Sequence, residues 1–130
     1  MSISKLLKNE KMGIYGNGQN IRDWLYVEDH VKSLYVIMNN GQFGESYCIG
    51  GNSEFSNIAL FKKIHSIIQS ELNLSILPYE KSFDFVSDRL GHDFRNSIST
   101  KKIKNVFGIK FKTDMNEYIK KTIEFYRFNV

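Results

Sequence analysis

Residues 15–30 read Tyr15-Gly16-Asn17-Gly18-Gln19-Asn20-Ile21-Arg22-Asp23-Trp24-Leu25-Tyr26-Val27-Glu28-Asp29-His30, and the rest of the chain can be read as support for what this stretch binds. Gly16-Asn17-Gly18 predicts a turn, because glycine and asparagine tolerate positive φ. Ile21 then leads into Arg22, Asp23 and the strand-like run Trp24 to Val27. An arginine delivered by a strand beside a flexible loop suits a phosphate ester, since guanidinium keeps its charge and presents a planar fork of donors. That chemistry alone defines an anion site. The plainer alternative is a surface ion pair between Arg22 and Asp23, worth little.

Outward from this stretch, the patterning predicts a mixed α/β chain. Ile3 to Lys8 reads as a short helix with Ile3, Leu6 and Leu7 on one side, and Gly13 to Tyr15 as a strand. Asp29 is placed as the cap of a helix whose Val31, Leu34, Tyr35 and Met38 fall at i, i+3, i+4 and i+7, with Gly41 as its stop. Val36 and Ile37 carry apolar surface onto a second side, so this helix calls for two covers. Gly44 to Gly51 predicts a buried strand, which would make Cys48 a buried, unreactive thiol. Ser56 caps a helix through Ile58, Phe61, Ile64, Ile68 and Leu72. Strands are expected over Ile76–Tyr79 and Phe83–Val86, the latter delivering Asp88 to His92 into a loop. A short helix from Ser99 stops at Gly108, and Thr113 caps a final helix with Met115, Tyr118, Ile119, Thr122 and Tyr126 in one stripe. No repeat or linker interrupts the chain, so one compact domain, 1–130, is expected.

Composition narrows the function classes. The 130 residues are 42% apolar and contain no run of membrane-spanning length. The single Cys48 forms no internal disulfide, and a cytoplasmic location is the default. The net charge of +4 is spread along the chain, and its densest cluster, Lys101, Lys102 and Lys104, falls in a helical pattern. A solvated helix face is therefore expected in place of a nucleic-acid patch. His30, Cys48, His65 and His92 are too scattered for metal spacing. Gly16-x-Gly18 lacks a third glycine and a strand-to-helix context, so no dinucleotide loop is assigned.

Three segments in order carry a more specific signal. They are Tyr15 to His30, then Gly44-Glu45-Ser46-Tyr47-Cys48-Ile49-Gly50-Gly51 followed by Asn57, and Asp88-Arg89-Leu90-Gly91-His92-Asp93. Together they resemble the substrate domain of extended short-chain dehydrogenases acting on nucleotide sugars, and the Trp24 to His30 run is most similar to the dTDP-glucose 4,6-dehydratases. The resemblance implies the C-terminal, substrate-binding α/β portion of such an enzyme, without the N-terminal Rossmann domain. UDP-sugar epimerases and decarboxylases share part of the pattern and are the substrate alternative.

The site implied by the resemblance comprises Tyr15, Arg22, Asn57, Asp88, Arg89, Gly91 and His92. Arg22 is placed on the diphosphate of a dTDP-sugar, with the loop of Arg89 and His92 clamping it from the opposite side. Asn57 supplies an amide near the diphosphate, or else serves only its own helix turn. Tyr15 packs on base or sugar. His92 is either a ligand contact or a scaffold residue partnered by Asp88 or Asp93. Two positions depart from the family pattern: Cys48 stands for asparagine, and Leu90 for a proline that would stiffen the loop.

Family members bind NAD in their first half, oxidise the sugar at C4, lose water across C5 and C6, and return hydride to C6. Here neither the glycine fingerprint nor a Tyr-x-x-x-Lys pair occurs, so no catalytic residue and no cofactor contact is assigned to this chain. The expectation is a substrate-binding portion, from a shortened gene or a cut-down form of a longer protein, that is inactive by itself. Its uncovered helix face predicts either a homo-oligomer or pairing with a separate NAD-binding partner. A non-catalytic interaction module is the competing expectation.

Overall fold

The computed structural model describes residues 2–111 and 114–129. In chain order these form α1 (Ser2–Leu7), β1 (Met12–Tyr15), β2 (Ile21–Asp23), α2 (Val27–Asn40), β3 (Glu54–Ser56), α3 (Asn57–Ser66), β4 (Phe83–Val86), β5 (Arg95–Asn96), α4 (Lys101–Phe107) and α5 (Met115–Asn129). A π-helical turn, Ile67–Glu71, continues α3, and a 3-10 turn, Tyr79–Lys81, precedes β4. The fold is mixed α/β, as expected. By its internal contacts the chain divides into two compact units. The first takes residues 1–20, 56–94 and 114–130, and the second takes 21–55 and 95–113.

The first unit holds a conventional core. Leu6 of α1, Ile14 of β1, Phe61, Ile64 and Ile68 along α3 and its π turn, and Ile119 and Ile123 of α5 are all buried. Phe61 meets Phe83 edge-on at 5.6 Å, and Tyr79 stacks against Phe83 at 5.2 Å. Strands β1 and β4 pair in parallel, with Met12 opposite Phe83 and Tyr15 opposite Val86. Ser56 caps α3, its hydroxyl accepting the Ala59 N–H at 3.3 Å. Asp114 Oδ1 accepts the N–H groups of Asn116 and Glu117 at the start of α5, while the expected cap Thr113 lies outside the described residues.

Ile76–Tyr79 does not form the expected strand. Pro78 has no N–H for a ladder, and side chains take up both polar groups of Leu77. Asn9 Oδ1 accepts the Leu77 N–H at 2.8 Å, and the buried His65 ring donates from Nε2 to the Leu77 carbonyl at 2.7 Å.

The second unit is arranged around a three-stranded sheet of order β3-β2-β5, with β2 and β5 parallel and Ile21 opposite Arg95. Helix α2 starts at Val27, two residues before the expected Asp29 cap. Tyr26 takes the cap position without a side-chain bond, and Asp29 sits with Glu28 in the first turn, where the helix dipole favours acids. Gly41 ends the helix as expected, its N–H donating to the Ile37 carbonyl at 2.7 Å. Gly44–Gly51 is not a strand, and Cys48 is exposed. Side chains satisfy this segment instead: Asp23 accepts the N–H groups of Gly51 at 2.9 Å and Ser53 at 2.8 Å, and Lys102 Nζ donates to the Ser46 carbonyl at 2.7 Å. Gly108 closes α4 in the left-handed region at φ +67°.

Candidate functional site

The parallel pairing of β1 with β4 sets the turn after Tyr15 beside the loop after Val86, and the Gly16 N–H extends the ladder to the Val86 carbonyl at 2.9 Å. Gly16 has φ +56°, and a β-carbon on it would lie 2.9 Å from Asp88 Oδ2. Asp88 Oδ1 accepts the Arg89 backbone N–H at 2.9 Å and a proton from His92 Nδ1 at 2.6 Å. Because a carboxylate only accepts, the His92 hydrogen sits on Nδ1. His92 is edge-on to Tyr15, with centroids 6.3 Å apart at 81°, and the Arg89 Cζ lies 5.7 Å from the centroid of the same ring. That separation is within cation–π range, worth about 0.5–1 kcal/mol where exposed. Gly91 makes the return of the loop possible at φ +70°.

The His92 side chain is 5% exposed, whereas Arg89 is open to solvent. The hydrogen bond from His92, with help from the Arg89 N–H and the Arg89 charge, holds the Asp88 carboxyl below the ordinary carboxylate range against an opposing desolvation effect. A guanidinium held over an aromatic ring, beside a nearly buried imidazole, can receive an anion joined to a flat group.

Four of the expected residues, Tyr15, Asp88, Arg89 and His92, thus make direct contacts with one another. Asn57 joins the same unit at the first position of α3, where its N–H donates to the Asn20 carbonyl at 3.0 Å. Asn20 is a residue that patterning did not single out. It is 6% exposed, and its Nδ2 donates to the Asp93 carbonyl at 3.3 Å, so it ties the turn after β1 to both α3 and the 88–93 loop. A polar residue next to a glycine turn is its only signal in the sequence.

Arg22 belongs to the second unit, on β2, where Nη1 donates to the Ile21 carbonyl at 2.6 Å. Asp23 does not serve as a simple surface partner, since its two carboxylate oxygens hold the Gly51 and Ser53 amides. In the lysine cluster of α4, Lys102 pairs with Glu45 at 2.6 Å and lies over the Tyr47 ring. A cavity of about 290 Å³ in the first unit, lined in part by Leu7, Lys8, Ile76 and Tyr126, includes none of the expected site residues. Among the described residues no group of three or more His, Cys, Asp or Glu side chains is placed to hold a metal, and no helix is long and apolar enough to cross a membrane.

Residues 1–122 match the model of the family described as GDP-mannose 4,6 dehydratase. The chain belongs to this family. Among members of the GDP-mannose 4,6 dehydratase family, it is 39% identical over 133 residues to the dTDP-glucose 4,6-dehydratase of Haemophilus influenzae, covering 99% of this chain and 39% of that protein. It is 40% identical over 131 residues to dTDP-glucose 4,6-dehydratase 1 of Escherichia coli K12, covering 98% of this chain and 35% of that one. The crystal structure of the Bacillus anthracis dTDP-glucose 4,6-dehydratase in complex with NAD superposes with a TM-score of 0.81 at 33% identity, over 98% of this chain and 38% of that chain. The UDP-glucose 4-epimerase of Thermotoga maritima, solved with UDP-glucose, gives 0.81 at 26% identity, over 98% and 38%. The chain therefore spans about two-fifths of the length of the relatives it matches, within the fold of extended short-chain dehydrogenases.

Gly18 donates to the Tyr15 carbonyl and Gln19 to Asn17 Oδ1, so the backbone N–H groups close the turn on itself. The turn leads into β2 in sequence, and the first turn of α3 lies against it, the Ile58 N–H donating to the Gly18 carbonyl at 3.0 Å.

Proposed function

We propose that this chain is the nucleotide-sugar-binding C-terminal domain of a dTDP-glucose 4,6-dehydratase, acting in the supply of deoxysugar nucleotides. The observation that carries the proposal is the Tyr15–Arg89–His92 cluster, set in the first unit by β1, β4 and the Asp88 carboxylate. Arg89 serves as a diphosphate contact, Tyr15 packs on the base or sugar, Asn57 offers an amide, and Gly91 lets the backbone approach the ligand. Arg22 of the second unit is assigned a phosphate contact of its own. The role of these residues is to bind and orient the substrate, and no part in hydride transfer is assigned to them.

The uncovered apolar face of α2 supports a further part of this proposal, that the chain works with a second copy of itself or with an NAD-binding domain. Val27, Val31, Tyr35 and Met38 are each more than half exposed.

Calorimetric titration of the chain with dTDP tests the proposal. Binding is expected, with Arg89→Ala weakening it about tenfold or more, as the loss of a charged hydrogen bond implies. The absence of both binding heat and a thermal shift with dTDP would remove the proposal, and a clear preference for UDP would move it to the epimerase side of the family.

A further inference from the structure

We propose that Gly16 and Asp88 are positioning residues for the Arg89–His92 loop: the missing β-carbon at position 16 seats the Asp88 carboxylate, which holds Arg89 and His92 in one arrangement at Tyr15 before any ligand arrives. The proposal rests on the nucleotide-sugar reading above and changes the part given to Asp88. A carboxylate facing a diphosphate would repel it, whereas this one is turned inward on its own loop. Both protons it accepts come from the residues assigned to the ligand, at 2.9 Å from the Arg89 N–H and 2.6 Å from His92 Nδ1.

The other side of the carboxylate is set by Gly16. An alanine there would bring its β-carbon to 2.9 Å from Oδ2 and 3.3 Å from Cγ, closer than ordinary packing allows, so Asp88 would have to move. Moving Asp88 releases the Nδ1 hydrogen bond of His92, and with it the edge-on contact to Tyr15 at 6.3 Å. Loop order at this place would otherwise be weak. Leu90 is fully exposed and packs on nothing, and Gly91 has no atom near its missing β-carbon. The Asp88 bonds close the loop on itself, and Asn20 ties it to the turn after β1 through the Asp93 carbonyl. Arresting the loop in advance lowers the ordering cost of binding.

The first test reads the free protein. Nitrogen-15 spectra of the histidine rings at about pH 8, where an ordinary imidazole is neutral, should show His92 with its hydrogen on Nδ1. Asp88→Ala and Gly16→Ala should both abolish that signature. Gly44→Ala is the control for backbone strain alone, since Gly44 has φ +81° and open space around its missing β-carbon, and it should leave His92 unchanged. A wild-type His92 with its hydrogen on Nε2, or a Gly16→Ala spectrum identical to wild type, would overturn the proposal.

The second test is a double-mutant cycle on dTDP affinity. Each single variant is expected to weaken binding about tenfold, with the double variant no weaker than Asp88→Ala alone, because Gly16 acts through Asp88. Losses that multiply would show two independent effects and overturn the relay. Should wild type fail to bind dTDP, the nucleotide-sugar reading falls, and the histidine spectra still decide the positioning claim. Asp88 is solvent-exposed, so if Gly16→Ala does not fold, Asp88→Ala still decides the proposal: an unchanged His92 spectrum or unchanged dTDP affinity would overturn it.

Discussion

The two units of this chain are held together by different physics. Every buried apolar side chain among the described residues except Ile103 lies in the first unit. There α1, α3 and α5 close over β1 and β4 as an apolar interior, and burying one aliphatic or aromatic side chain contributes on the order of 1.5–3 kcal/mol. The second unit buries Ile103, Ser33, Thr100 and the glycines at 50 and 51. Its integrity depends on directed polar contacts: Asp23 on two backbone amides, Trp24 Nε1 on the Phe55 carbonyl at 3.1 Å, and Arg95 on Glu54 at 2.8 Å. Its long helix, α2, buries only Ser33, leaves Val36 and Ile37 half-buried and turns Val27, Val31, Leu34, Tyr35 and Met38 outward. One unit carries its own core, while the other leaves Val27, Val31, Tyr35 and Met38 open on one helix.

The hardest blow to this contrast is Phe61→Ala. Phe61 is 1% exposed and touches Phe83 and Tyr79, so its loss should lower global stability by about 3–5 kcal/mol in urea unfolding. A cost below about 1 kcal/mol would show that the first unit is not the stability centre.

Asp23→Ala should cost less, about 1–3 kcal/mol for backbone donors left without their acceptor. The effect should stay local, with faster hydrogen exchange at the Gly51 and Ser53 amides and unchanged protection around Ile68. Equal loss in both units would mean that they unfold as one. A smaller change is expected from Leu34→Glu with Met38→Glu on the open face of α2. Folding should shift by no more than about 0.5 kcal/mol, as at ordinary surface positions, while light scattering at high concentration should show less association. Unchanged association would place the contact elsewhere.

The smallest effect concerns pH and the loop of the first unit. The Asp88 carboxyl is held below its ordinary value, chiefly by His92, so the native state binds this proton less readily than the unfolded chain. Its stabilising contribution is therefore complete above the ordinary carboxylate value of about 4 and is lost as pH falls through the lower native value. The stability gap between wild type and Asp88→Asn should be flat above about pH 5 and shrink in acid. A gap that widens in acid would reverse the assignment.

How much of this was legible beforehand follows from where each segment finds its hydrogen-bond partners. Helix α3 with its Ser56 cap, the glycine stops at 41 and 108, and strands β1 and β4 all carry local signals of period, cap or turn. The segments 44–51 and 76–79 look like strands by composition. Their backbone partners are side chains distant in sequence, Asp23 and Lys102 for the first, Asn9 and His65 for the second. The same remoteness hid Asn20, and it made Cys48 appear buried when it is exposed.

By themselves the residues determined the family, the mixed α/β class and the candidates Tyr15, Asn57, Arg89 and His92, because motif and period are written in neighbouring positions. Only tertiary structure decided that the Asp88 carboxylate turns onto its own loop, that Asp23 latches the Gly51 and Ser53 amides, and that the chain divides into two units. Those outcomes depend on which remote groups come within about 3 Å of one another, the hydrogen-bonding distance, and linear spacing carries no such information.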